Sequence, residues 1–281
     1  YNTNSLVEMG IKGFSKVFPE QKEITFVNMK GKRIAIDVMA IMYKSIMGNF
    51  TLTNKAGRIT NHITTCVSLM LKLKSYNIGQ VWVFDYDKRE SECKTFHNPL
   101  KKEEVALRTR KRTKSLAEAA KLREQIKLIK ASKPKTEEEI MFSSDDENDT
   151  KVLEEKLHKK EKAISRVEPW MLDDIIIILN FLNIKWVMAP KGYEGECIAS
   201  RLTQDDVDIV DAVFSPDSDV PLFGAKIFIR DVPRKKKLAY YDLDVLKNTH
   251  SITQSELIVA GVVLGSDFYH DKEKKLFRGI G

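Results

Sequence analysis

Short apolar runs alternate with longer amphipathic stretches along most of the chain, and the runs are strand-sized. Arg33-Ile34-Ala35-Ile36-Asp37 and Gln80-Val81-Trp82-Val83-Phe84-Asp85 each read as a strand closed by an acid, and Lys185 to Met188, Ile209 to Ala212 and Lys226 to Ile229 read as further strands. Helical periodicity covers Met39 to Met47, Thr60 to Tyr76, Pro169 to Leu182, Glu196 to Leu202 and Gln254 to Leu264. Pro169 suits a first helical position, where its missing N–H costs nothing. Apolar strands separated by helices predict an α/β fold with a central, mostly parallel sheet flanked by helices. Ligands of such folds sit beyond the carboxyl ends of the strands, which is where Asp37 and Asp85 fall.

The middle of the chain departs from this alternation. Lys101 to Lys133 is strongly basic, with Leu116, Leu122, Ile126 and Ile129 giving partial helical periodicity. Glu137-Glu138-Glu139 and Ser143-Ser144-Asp145-Asp146-Glu147-Asn148-Asp149 follow, and a second charged helix is expected from Val152 to Val167. We therefore expect a helical hairpin inserted at about 88–168 that projects from the sheet domain, with a solvated, mobile acidic tip at about 134–150. Residues 1–9 are expected to be an extension and 10–281 one domain, with the insertion inside it. A solvated coiled coil that binds a protein or nothing is an open alternative for the hairpin.

Composition narrows the class only a little. A formal charge of +7 suits an anionic polymer, although many proteins with this balance bind none. The longest apolar stretch, Ile175 to Leu179, is far short of the roughly 18 residues of a membrane span. No secretory signal is expected at the N-terminus, and the three scattered cysteines (Cys66, Cys93, Cys197) argue for a reducing compartment and against a zinc or disulfide framework.

Chemistry is concentrated in acids at strand ends and loop starts: Asp37, Asp85, Glu194, Glu196, Asp217, Asp219 and Asp267. A single strand-terminal Asp is more often a helix N-cap than a ligand. Seven acids at one edge of a sheet would repel one another without counter-ions. All-oxygen donors suit Mg²⁺ or Mn²⁺, and the absence of an accompanying His argues against zinc.

Met9-Gly10-Ile11-Lys12-Gly13, Ile34-Ala35-Ile36-Asp37, Val83-Phe84-Asp85, Tyr193-Glu194-Gly195-Glu196, Ser215-Pro216-Asp217-Ser218-Asp219 and Leu264-Gly265-Ser266-Asp267 resemble, in order and interval, the motifs of the flap endonuclease (XPG-type 5′ nuclease) superfamily. The resemblance runs from Gly10 to Gly281. It implies a PIN-like fold with a helical arch and a structure-specific 5′ nuclease that hydrolyses DNA at 5′ flaps and 5′ ends. Two Mg²⁺ ions, for which Mn²⁺ would substitute, are implied at the seven acids, with products carrying a 5′ phosphate and a 3′ hydroxyl.

The resemblance also implies roles outside the metal shell. Lys101 and Arg108 match a Lys and Arg that approach the scissile phosphate, and their i to i+7 spacing puts them on one helical face. Tyr43 matches an aromatic that stacks on a base, and Arg110, Lys111 and Arg112 fit nonspecific phosphate contacts. Ordinary surface cations and a core Tyr are the competing readings of Lys101, Arg108 and Tyr43. Gly10 matches a glycine whose backbone lies near the site. Gly279 and Gly281 match the turn of a helix-turn-helix, begun at about 254–281, that holds duplex phosphates, often with K⁺.

The family features also imply a sliding clamp, met through a more C-terminal region, and a nuclear location, or cytoplasmic replication sites for a viral member. Departures are the stretch from Tyr86 to Pro99, Gly195 and Cys197 where Ala is common, and an insertion from Tyr269 to Phe277. A catalytically silent DNA-binding member and an RNA-directed nuclease are the alternative functions.

Overall fold

The structure, a computed structural model, describes residues 22–47, 52–85, 99–131, 144–164, 166–232 and 237–264. The chain divides into two compact units, Tyr1–Lys94 with Val167–Gly281, and Thr95–Arg166. The first unit is organised around a sheet of seven strands among the described residues: β1 (Lys22–Ile24), β2 (Arg33–Asp37), β3 (Gly79–Phe84), β4 (Lys185–Met188), β5 (Ala212–Phe214), β6 (Ile227–Val232) and β7 (Lys237–Asp242). Their spatial order is β1-β7-β6-β5-β2-β3-β4. From β6 to β4 all neighbours are parallel, while β7 pairs antiparallel with β6 and β1 antiparallel with β7. The mostly parallel α/β sheet expected from the alternation is therefore present.

Strand side chains alternate between two apolar layers, as the two-residue period of a pleated strand requires. Ile34, Ile36, Trp82, Phe84 and Phe214 face one layer with α1 (Val38–Ile46), α2 (Asn61–Ser75) and α5 (Pro169–Phe181), which contribute Met42, Leu73 and Ile175. Ala35, Val83 and Val213 face the other with Ala199 of α6 (Gly195–Arg201) and Val210. A third small cluster, Leu243, Leu246 and Leu257, joins α7 (Leu243–His250) to α8 (Gln254–Leu264). Covering both faces of the sheet leaves its strand ends as the place where polar chemistry can reach solvent.

Several elements differ from the sequence expectation. Ile209 to Ala212 is not a strand; β5 begins only at Ala212. Asp208 turns into the left-handed region at φ 44°, and the N–H groups of Ile209 and Val210 both bond the Leu202 carbonyl, which makes this apolar pair the end of a turn. The edge strand β1, its neighbour β7 and helix α7 had no counterpart in the sequence pattern. β1 is three residues long, and β7 follows a run of basic residues, Arg234-Lys235-Lys236, that masks its alternation. α7 is started by the Asp242 carboxylate, which accepts from the N–H groups of Asp244 and Val245.

The second unit pairs α3 (Pro99–Ala131) with α4 (Ser144–Ile164). Ala119 and Ile126, one heptad apart, are buried, as is Thr150, with Leu122, Leu153 and Leu157 half-buried beside them. Arg123–Glu161 and Lys130–Glu154 ion pairs, each 2.7 Å, rise along α3 as they descend along α4, so the helices are antiparallel. Residues 144–150, expected in the acidic tip, belong to α4, and 134–143 lie outside the described residues. Ser144 followed by Asp145, Asp146 and Glu147 puts acids in a first helical turn, where exposed N–H groups favour negative charge.

Candidate active site

Four adjacent parallel strands deliver acids to one edge. Asp37 is the last residue of β2, Asp85 follows β3, Glu194 and Glu196 open α6 after β4, and Asp217 and Asp219 follow β5. The chain passes from β2 outward through β3 to β4 and then returns to β5 on the other side of β2. That reversal creates the crevice at which open α/β sheets bind ligands.

Asp37 is buried and caps α1: one oxygen accepts from the Ala40 N–H at 3.1 Å and the other from Ser215 Oγ at 2.8 Å. Capping and ligation are compatible, because each carboxylate oxygen has two lone pairs. Ser215 is itself fixed by accepting from the Asp217 N–H at 3.0 Å, and Asp217 Oδ1 accepts from the Asp219 N–H at 3.2 Å. Asp85 Oδ1 accepts from the Gly195 N–H at 2.7 Å. Glu194 occupies the N-cap position of α6 without using its carboxylate as the cap.

The acids sense one another. Burial raises the Asp37 carboxyl to about 7; hydrogen bonds from Ala40 and Ser215 oppose this, and the Asp85 and Asp217 charges add to it. Glu196 is held far above the usual carboxylate range, first by burial and then by the charges of Asp217, Asp37, Glu194 and Asp219. Six acids thus form one electrostatic cluster that favours a cation.

The donor set, all oxygen, suits a hard divalent ion. Among the described residues no group of three or more His, Cys, Asp or Glu side chains is placed to hold a metal ion. The fit is therefore one of donor type and charge alone.

The remaining candidates are distributed as follows. Tyr43 lies on α1, 40% exposed. Arg110 and Lys111 are exposed on α3, while Arg112 is half-buried, one heptad before Ala119 on the helix seam. Lys101 and Arg108 belong to α3 by backbone, and their side chains lie outside the described residues, as do Gly10, Asp267, Gly279 and Gly281 altogether. Ser215 and the Gly195 amide, which hold Asp37 and Asp85, had no such role from sequence, where Ser215 only opened a motif and Gly195 was only a departure from Ala. The only local signal for the first was a Ser two residues before an Asp, a spacing that favours a side-chain-closed turn.

Fold and edge together define the class: a mostly parallel α/β protein whose strand switch point is lined by acids. The XPG N-terminal domain matches residues 9–115 and the XPG I-region residues 183–267. The chain belongs to the XPG-type 5′ nuclease superfamily. It is 28% identical to flap endonuclease 1 of Zea mays over 92% of its own length, and spans 62% of that protein. It is 27% identical to flap endonuclease 1 of Nanoarchaeum equitans, over 92% of this chain and 70% of the relative. Among solved structures, flap endonuclease-1 from Methanococcus jannaschii superposes with a TM-score of 0.62 at 23% identity, covering 91% of this chain and 70% of that one. The catalytic core of Rad2 in complex with DNA substrate gives 0.62 at 19%, covering 97% and 65%. These two likenesses are of fold.

Proposed function

We propose that the protein is a structure-specific 5′ nuclease that hydrolyses DNA phosphodiesters at 5′ flaps and 5′ ends, leaving a 5′ phosphate and a 3′ hydroxyl. The observation that carries this reading is the six-acid cluster brought by β2, β3, β4 and β5 to one edge. Relatives named flap endonuclease 1 and a similar fold solved with DNA support the choice of substrate.

Asp37, Asp85, Glu194, Glu196, Asp217 and Asp219, with Asp267, are assigned to hold two Mg²⁺ ions. When bound, such ions lower the pKa of a water and stabilise the charge that develops on the departing oxygen. The residues of the chain fix where this happens. Ser215 and the Ala40 N–H hold Asp37 at the end of β2, and the Gly195 N–H holds Asp85 at the end of β3. Lys101 and Arg108 are assigned to the scissile phosphate, Tyr43 to base stacking, and Arg110, Lys111 and Arg112 to the single strand. Gly10 is assigned to backbone contact near the cut, and Gly279 and Gly281 to duplex phosphates with K⁺.

The test is cleavage of an end-labelled double-flap DNA and its RNA-flap counterpart, in Mg²⁺ or EDTA, by the wild type, Asp85→Ala and Asp219→Ala. Mg²⁺-dependent cutting of the DNA flap near the junction, lost in both variants, is expected. Binding without cutting sinks the nuclease reading, and preferential RNA cutting moves the substrate.

A further inference from the structure

The first residue of α6 comes so close to the end of β3 that a side chain there would crowd the Asp85 carboxylate. Gly195, the first residue of α6, is buried, and its N–H reaches Asp85 Oδ1 at 2.7 Å. A Cβ placed on Gly195 would stand 2.9 Å from that oxygen and 3.3 Å from both the Asp85 nitrogen and the Phe84 carbonyl carbon. The Phe84 segment has little room to retreat, because its carbonyl accepts from the Ala189 N–H at 2.8 Å and the strand is paired on both sides, with β2 and β4. The backbone angles of Gly195 are not in the left-handed region, so a methyl group would be objectionable for its volume alone.

We propose that Gly195 is a positioning residue for the metal site: its N–H aims the Asp85 carboxylate, and its missing side chain lets α6 bring Glu194 and Glu196 up beside it. The inference rests on the metal-dependent reading above. One contact thereby sets three acids, since Gly195 lies between the two glutamates and bonds the aspartate of the neighbouring strand. Adding a methyl group forces either the Asp85 side chain to rotate away or α6 to withdraw, and each movement separates carboxylates that must close on common ions. The crowding belongs to the α6–β3 spacing of this chain. Losing a group that orients a metal ligand typically costs roughly 10–100-fold in metal affinity.

The experiment compares Mn²⁺ binding by the full wild-type chain and by Gly195→Ala, read from the electron paramagnetic resonance signal of free Mn²⁺ and independent of cleavage. Alanine is the better helix former, so the variant should keep its far-UV circular dichroism and metal-free melting temperature. The expected result is a Kd for Mn²⁺ raised by about tenfold or more, with a matching rise in the Mn²⁺ needed for half-maximal cleavage and no change in KM for DNA. A merely structural role would not separate metal affinity from folding in this way.

An unchanged Kd overturns the proposal while leaving the metal reading intact. If the wild type itself binds no Mn²⁺, the metal reading falls and this inference falls with it. Should Gly195→Ala fail to fold, amide hydrogen exchange at Gly195 in the wild type decides: strong protection upholds the bond to Asp85, and exchange at the rate of an open amide removes it.

Discussion

Ser215 Oγ donates to Asp37 Oδ2 at 2.8 Å, joining residues 178 positions apart across the paired ends of β5 and β2. The same hydroxyl accepts from the Asp217 N–H, so one side chain ties an acid on β2 to the loop that carries two more. Both partners are buried. Ser215→Ala should cost about 1.5–3 kcal/mol, the range for a buried hydrogen bond to a charged group, and should weaken divalent-ion binding. Ser215→Thr, which retains the hydroxyl, should lose much less. Urea midpoints in EDTA and Mg²⁺ titrations of cleavage check this; equal midpoints for Ala and Thr would mean that the hydroxyl does not hold Asp37.

Glu196 faces the charges of Asp217, Asp37, Glu194 and Asp219 in a partly buried setting, an arrangement that serves a cation at the expense of the empty protein. Glu196→Gln should therefore raise the stability of the metal-free protein, by roughly 1 kcal/mol, while abolishing cleavage. Adding Mg²⁺ should stabilise the wild type more than the variant. Melting temperatures in EDTA and in Mg²⁺ measure both effects, and a variant less stable than the wild type in EDTA would contradict the repulsion.

These two residues also mark what was legible in the sequence and what was not. Asp37 and Asp85 could be placed because an apolar run fixes a strand, a strand fixes its carboxyl end, and a parallel sheet puts all such ends on one edge. Helices with a clear start were equally readable: Gln254 to Leu264 is α8, and Pro169 begins α5. Ser215 and Gly195 were invisible as supports because their partners are remote in the chain and enter only once β5 pairs with β2 and α6 packs on β3. Ile209 and Val210 misled for a related reason. Their apolarity served a turn whose shape is set by the carbonyl of Leu202, which no local pattern reports.

Cys66 is fully buried on the core side of α2, and burial pushes its thiol up to about 12; Cys197 is half-buried and also raised, by burial and then by Glu194. Thiolate is the reactive form, so both should resist alkylation in the folded protein. Iodoacetamide at pH 8 followed by peptide mass mapping should leave Cys66 unmodified until denaturant is added, with slow labelling of Cys197. Rapid labelling of Cys66 under native conditions would show that α2 opens readily from the sheet.

Asp211 closes the opposite end of β2 from the acid cluster. Its Oδ2 accepts from the Arg33 N–H at 2.7 Å, and the Arg33 carbonyl accepts from the Asp211 N–H at 2.7 Å, which sets where β5 begins beside β2. Burial alone would raise its carboxyl, but the Arg33 N–H, the Lys32 charge and the Arg33 side chain outweigh that and hold it below the ordinary carboxylate value. A lowered folded pKa contributes stability that is present above the unfolded value, about 3.9, and is lost as pH falls through the folded one. Asp211→Asn should thus destabilise by about 1 kcal/mol at pH 7, and the difference from wild type should shrink below about pH 4. Because Lys32 and Arg33 are substantially exposed, high salt should trim only part of the effect, leaving the share due to the backbone bond. Urea midpoints at pH 7 and pH 3, each at low and high salt, test the assignment. A gap as wide at pH 3 as at pH 7 would place the effect of the substitution outside the ionised carboxylate.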